Sequence, residues 1–114
     1  MVKLSTHILD STTGTHAKNI SVTFAQIKCK HFSNILWNKL TDTNGRLVIE
    51  FDLKSFDDTD YYLLSFGVGE YFRRKKNKLH VNTVSLDVRL PDTNGSYHLP
   101  IIISPHGASL WWSK

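Results

Sequence analysis

Two histidines and one arginine stand out by their place in the sequence pattern. The chain has six histidines, at positions 7, 16, 31, 80, 98 and 106. His7 and His98 each fall inside a stretch that alternates apolar and polar residues, His7 beside Ile8 and Leu9, His98 beside Leu99 and near Ile101. An imidazole titrates near neutral pH, so two of them mounted on rigid strands can act as a general base and its partner. Arg46 directly follows Asn44-Gly45. Its guanidinium is a planar fork of donors suited to an anionic or carbonyl-rich ligand, although a solvated arginine at a strand end explains it equally well. No two histidines have the close spacing of a helical zinc motif, and the one cysteine, Cys29, cannot build a thiolate cluster. Nothing around Cys29 marks it as a nucleophile, and no Gly-x-Ser-x-Gly is present.

The elements that must position these groups read as strands. Val2, Leu4, Thr6 and Ile8 alternate with Lys3, Ser5 and His7, the period-two signature of a half-buried strand. The same pattern recurs at Ile20 to Phe24, Arg46 to Phe51 and Val84 to Leu90, and Tyr61 to Phe66 reads as an apolar and aromatic strand. Phe32 to Leu40 is apolar and aromatic but less regular. Tyr97 to Ser104 closes the set, with Pro100 pointing to an edge or a bulge because it lacks an N–H. Ser11 to Gly14 marks a turn, and Asp-Thr-Asn-Gly occurs twice, at 42–45 and 92–95. Asn-Gly favours positive φ and hairpin turns. Gly69 to Lys78 is the one helical candidate, with an extended basic loop as the alternative. The sum is about seven or eight strands with one short helix, an all-β sandwich.

Composition bounds the rest. At 114 residues, 40% of them hydrophobic, the whole chain, 1–114, reads as one domain with a real core. The net charge of +4 permits an anionic partner without naming one. Arg73 to Lys78 holds five cations; a solvated face is favoured over a nucleic-acid surface because no stacking platform accompanies it. No apolar run approaches the ~20 residues of a membrane span, and Met1 to His7 lacks a signal-peptide core. Trp111-Trp112 must fold back on the domain or enter a subunit interface.

Three segments together resemble the transthyretin-related family of 5-hydroxyisourate hydrolases: Leu4-Ser5-Thr6-His7-Ile8-Leu9-Asp10 followed by Gly14 and Ala17, then Thr43-Asn44-Gly45-Arg46, then Tyr97-His98-Leu99-Pro100-Ile101-Ile102-Ile103-Ser104-Pro105. Their order and spacing cover nearly the whole chain. The resemblance implies the transthyretin-like sandwich, a homotetramer with sites at a subunit interface, and no metal or organic cofactor. It implies hydrolysis of 5-hydroxyisourate to 2-oxo-4-hydroxy-4-carboxy-5-ureidoimidazoline in urate catabolism, with His7 and His98 catalytic and Arg46 on the substrate.

Family members end in Tyr-Arg-Gly-Ser; the corresponding positions here are Trp111, Trp112, Ser113 and Lys114. Trp111 and Lys114 are the candidate substitutes, an aromatic wall and a cation at the substrate. The altered tail keeps open a second reading, a transthyretin-like small-ligand binder without hydrolase activity. A basic nucleic-acid module is the weakest alternative. The tail is not a Ser-Lys-Leu address, so a cytoplasmic location is expected, with the peroxisome, common in the family, as the alternative.

Overall fold

The computed structural model describes residues 1–28, 32–52, 61–75, 81–92 and 94–113. Along them run β1 (Val2–Asp10), β2 (Thr15–His16), β3 (Ser21–Lys28), β4 (Phe32–Leu40), β5 (Arg46–Phe51), β6 (Tyr61–Phe66), α1 (Val68–Arg74), β7 (Val84–Val88), β8 (Ser96–Ser104) and β9 (Gly107–Leu110). Alternation in β1 buries Val2, Leu4, Thr6, Ile8 and Asp10 and turns Lys3, Ser5, His7 and Leu9 the other way. In β8, Tyr97, Leu99, Ile101 and Ile103 are buried, while Ser96, His98, Pro100 and Ile102 face outward. β1 and β8 pair in parallel, with Ser5 opposite His98 and His7 opposite Pro100. On its other side β1 pairs antiparallel with β5 and, past the Ser11–Gly14 turn, with β2. β9 completes this sheet beside β8.

The second sheet has the order β4-β3-β6-β7. Its inward residues, among them Val22, Phe24, Tyr62, Leu64 and Phe66, join those of β1 and β8 in one core. Phe24 stacks on Tyr62 with ring centroids 5.3 Å apart. Each such side chain, fully withdrawn from water, contributes roughly 1.5–3 kcal/mol. α1 adds Val68, Tyr71 and Phe72 to the buried set. Glu70 in its first turn and Arg73 and Arg74 in its last complement the helix dipole.

Asp10 is 0% exposed at the end of β1. A buried carboxylate is tolerable only when its oxygens are satisfied. Oδ1 accepts from the Thr12 N–H (2.9 Å) and hydroxyl (2.6 Å). Oδ2 accepts from the Tyr71 hydroxyl (2.8 Å) and Lys75 Nζ (3.2 Å). Burial alone would raise its pKa, but the Thr12, Tyr71 and Lys75 hydrogen bonds together hold it below the ordinary carboxylate value. Through Tyr71 and Lys75 the same carboxylate fastens α1 to β1.

Several local expectations are refined. The irregularity of Phe32–Leu40 is a β-bulge: Phe24 faces Trp37 and Ala25 faces Ile35, leaving Leu36 as the extra residue. Pro100 is neither on an edge strand nor in a bulge. It lies in β8 between β1 and β9, where the ladder to β9 lapses: Trp111 N–H donates to the Pro100 carbonyl at 3.3 Å, and Pro100 has no N–H to return. β9 extends the set beyond the expected strands. The helix ends at Arg74; Lys76 to Lys78 lie outside the described residues, as do Cys29, His31, His80 and Lys114.

Candidate active site

The outward face of the β5-β1-β8 sheet collects the chemistry-bearing residues. Register fixes this. His7 on β1 stands opposite Arg46 on β5, and Ser5, two residues earlier on the same face, stands opposite His98 on β8. His7 is thus flanked by Arg46 on one side and by His98 diagonally on the other, at the spacing where cross-strand side chains interact. All three sequence candidates come together on one face. Trp111 is 47% exposed, and the bridge between Ser113 and His98 continues the β8-β9 register past it. Trp112 instead packs on the buried Tyr97, ring centroids 5.2 Å apart, so the tail folds back on the domain.

Local structure explains why Arg46 lands beside His7. The Asp42 carboxylate accepts from the backbone N–H groups of Asn44 and Arg46, both at 2.9 Å. These bonds, Arg46's foremost, hold Asp42 below the ordinary carboxylate range. Gly45 closes the turn at φ +70°, a left-handed conformation that glycine adopts without penalty. It also docks against β1: its carbonyl accepts from Ile8 N–H at 2.8 Å, and a Cβ there would press into the Ile8 carbonyl oxygen. No side chain fits, so the turn is held to the backbone next to His7.

Each imidazole has a defined partner. Ser5 Oγ lies 2.8 Å from His98 Nδ1 and donates to the Tyr97 carbonyl at 3.4 Å. With the hydroxyl proton on that carbonyl, Oγ accepts from Nδ1–H, the tautomer that leaves Nε2 as the acceptor nitrogen. His7 Nε2 lies 2.9 Å from His16 Nδ1, so a hydrogen bond joins the two rings, one donating N–H to the other's bare nitrogen. Burial, the Arg46 guanidinium, His16 and His98 push the His7 pKa below 6.5, against a hydrogen bond to the Asn44 backbone. The site thus biases His7 toward its neutral, basic form. A base, a second imidazole and a guanidinium on one face can activate water, place it and steady an oxyanion. Among the described residues no group of three or more His, Cys, Asp or Glu side chains is arranged to hold a metal ion.

Sequence reasoning missed His16 and Ser5. β2 is two residues long, too short for any periodicity. The signal available was the Ser11–Gly14 turn, which folds His16 back opposite Leu9, diagonal to His7.

A profile of the HIUase/Transthyretin family matches residues 4–112. The chain belongs to this family. Among its relatives, the 5-hydroxyisourate hydrolase of Salmonella dublin is 31% identical over 108 residues, covering 95% of this chain and 78% of that one. The 5-hydroxyisourate hydrolase of Halalkalibacterium halodurans is 29% identical over 113 residues, 96% of this chain and 95% of that one. The structure of Klebsiella pneumoniae 5-hydroxyisourate hydrolase superposes with a TM-score of 0.81 at 27% identity, covering 98% of this chain and 99% of that one. The HIUase/Transthyretin fold accounts for the two sheets and the short helix found here. Within the basic run the described cations each contact the fold: Arg73 donates to the Asn82 side chain (3.1 Å), Arg74 to the Asn19 carbonyl (2.8 Å) and Lys75 to Asp10. No helix among the described residues is long and apolar enough to cross a membrane.

Proposed function

We propose that this protein hydrolyses 5-hydroxyisourate to 2-oxo-4-hydroxy-4-carboxy-5-ureidoimidazoline. The observation that carries the reading is the convergence of His7, Arg46 and His98 on one sheet face, in a chain nearly as long as the hydrolases it resembles. Ring opening needs a water deprotonated, an oxyanion held and a proton delivered to the leaving nitrogen. His98, with Nδ1 engaged by Ser5, takes the proton from water at Nε2. His7 orients that water and relays the proton. Arg46 binds substrate oxygens and steadies the charge that develops at the attacked carbonyl.

The face is open to solvent in one chain: Arg46 is exposed and its neighbour Val48 is 51% exposed. A homotetramer that sets this face against a second subunit would enclose it and exclude water, with Trp111 and Lys114 at the substrate. The whole chain, 1–114, then acts as one transthyretin-like domain without a cofactor. Replacement of the family's terminal Tyr-Arg-Gly-Ser favours the second reading, a small-ligand binder of the same fold.

The test is to generate 5-hydroxyisourate with urate oxidase and follow its absorbance decay. The native protein should accelerate decay, and His98→Ala should cut kcat by about 10²–10⁴-fold. Decay no faster than in buffer, with His98→Ala indistinguishable, leaves the binder as the correct reading.

A further inference from the structure

A concavity adjoins the His7 face at His16. It has a volume of about 330 Å³ and runs between β2 and the end of α1, lined by Thr15, His16, Lys18, Asn19, Tyr71, Arg74 and Lys75. His7, Arg46 and His98 take no part in its wall. Its chemistry is one-sided. No Asp or Glu lines it, while Lys18, Arg74, Lys75 and His16 all do.

The three permanent cations are not equivalent. Lys75 is committed to Asp10, 3.2 Å away, and to the face of the Tyr71 ring. Arg74 has no carboxylate partner among the described residues. Its Nη2 donates to the Asn19 carbonyl, and among the described residues the rest of the fork has no other partner. Lys18 has no carboxylate partner among the described residues either. His16 offers Nδ1 to His7 and keeps its other nitrogen. Like charges gathered without counter-charge repel one another, and a compact anion with several acceptor oxygens relieves that repulsion through charge-assisted bonds.

We propose that this cavity binds a phosphate group, held by Arg74 and Lys18 against the His16 imidazole and the Thr15 hydroxyl. A planar guanidinium and an ammonium are the usual partners of a phosphate's oxygens. The volume leaves room beside the phosphate for an organic substituent, with the partly apolar Tyr71 ring as its wall. The ligand is therefore free phosphate or a small phosphate monoester. His16 belongs to both sites, since it forms the cavity wall and is hydrogen-bonded to His7, so the phosphate sits one imidazole away from the hydrolytic face. Binding itself does not rest on the hydrolase reading and is measured without activity.

The experiment is an NMR titration of the full-length, ¹⁵N-labelled protein with inorganic phosphate, glycerol phosphate and, at matched ionic strength, sodium chloride. Saturable shifts at residues 15–19 and 71–75 are expected with the phosphates and not with chloride. The His16 ring nitrogens should move with them, because a dianion beside the ring favours its protonated form against His7, Lys18, Arg74 and Lys75. Tighter binding of glycerol phosphate would assign the monoester; equal or weaker binding would assign the free ion. Lys18→Gln with Arg74→Gln, both at exposed positions, should weaken binding by about tenfold or more and leave the spectrum of the core unchanged. The proposal is overturned if the phosphates act no differently from chloride, if His16 stays still, or if the double variant binds as the parent does.

Discussion

Gly45→Ala separates two demands that coincide at one residue. The backbone there is left-handed at φ +70°, which costs an L-residue about 1–2 kcal/mol. The new methyl would also press on the Ile8 carbonyl oxygen and lie 3.1 Å from Ala17 N. Relief requires the turn to lift off β1, stretching the Gly45 carbonyl's bond to Ile8 N–H (2.8 Å). A hydrogen bond of this kind contributes about 1 kcal/mol, so the expected loss is about 2–3 kcal/mol in all. Arg46 is the next residue and moves with the turn, away from His7. A misplacement of about 1 Å in a catalytic group costs about a hundredfold in rate. Gly14→Ala is the matched control, because Gly14 has the same φ of +70° but nothing within 4 Å of its added Cβ. It should lose only the backbone share, about 1–2 kcal/mol, and keep its activity. Urea midpoints at constant m measure stability, and decay of 5-hydroxyisourate measures rate. If the two variants lose equal stability and both keep full activity, the docking of Gly45 on β1 does not position Arg46.

Further outcomes follow from the same contacts. Ser5→Ala removes the 2.8 Å partner of His98 Nδ1 and should lower kcat by roughly tenfold, the equivalent of one hydrogen bond of about 1.4 kcal/mol, with KM little changed; an unaltered kcat would show that Ser5 does not set the His98 tautomer. Asp10→Asn should cost about 2 kcal/mol at neutral pH, the half-exposed Lys75 contributing least of its partners. Because the folded Asp10 pKa lies below the unfolded 3.8, the parent's advantage is full above that value and fades as pH falls through the folded one; a gap that stays constant down to acid unfolding would refute the ionised network. His7 should titrate below 6.5 by NMR, and Arg46→Gln should move it upward by removing a neighbouring positive charge. No movement would mean the guanidinium does not face the ring.

How much of this was legible in the sequence depended on the length of each element. β1 and β5 were readable because alternation runs for six residues or more and has a single buried side, and β6 because Tyr61 to Phe66 is an apolar and aromatic run. The bulge at Leu36 broke the alternation of β4, since an extra residue shifts every later side chain to the other face. β9 was invisible because Gly107-Ala108-Ser109-Leu110 has one large apolar residue, and its place is set by the hairpin back to β8. The Asn44-Gly45 turn was legible, but as a hairpin signal it would pair β4 with β5, and these strands lie in different sheets; Arg46 meets His7 through the pairing of β5 with β1, and the contact of His7 with His16 was no more legible. That contact is a diagonal across a two-residue strand, and only backbone register in space produces it.

The parallel pairing of β1 with β8 also bears on how the molecule is born. The Ser5–His98 and Thr6–Leu99 contacts each span 93 positions, so β1 leaves the ribosome long before the strand that covers its flank has been translated. During that interval one side of β1 offers unpaired amides and carbonyls beside an apolar stripe, the condition in which strands recruit neighbouring chains. Lys3, projecting from the outward face of β1, is the means available to guard that flank; β5, which can pair as soon as Phe51 emerges, covers only the opposite edge. Translation products that stop short of β8 should therefore carry His7 without His98 and should depend on chaperones more heavily than the finished chain.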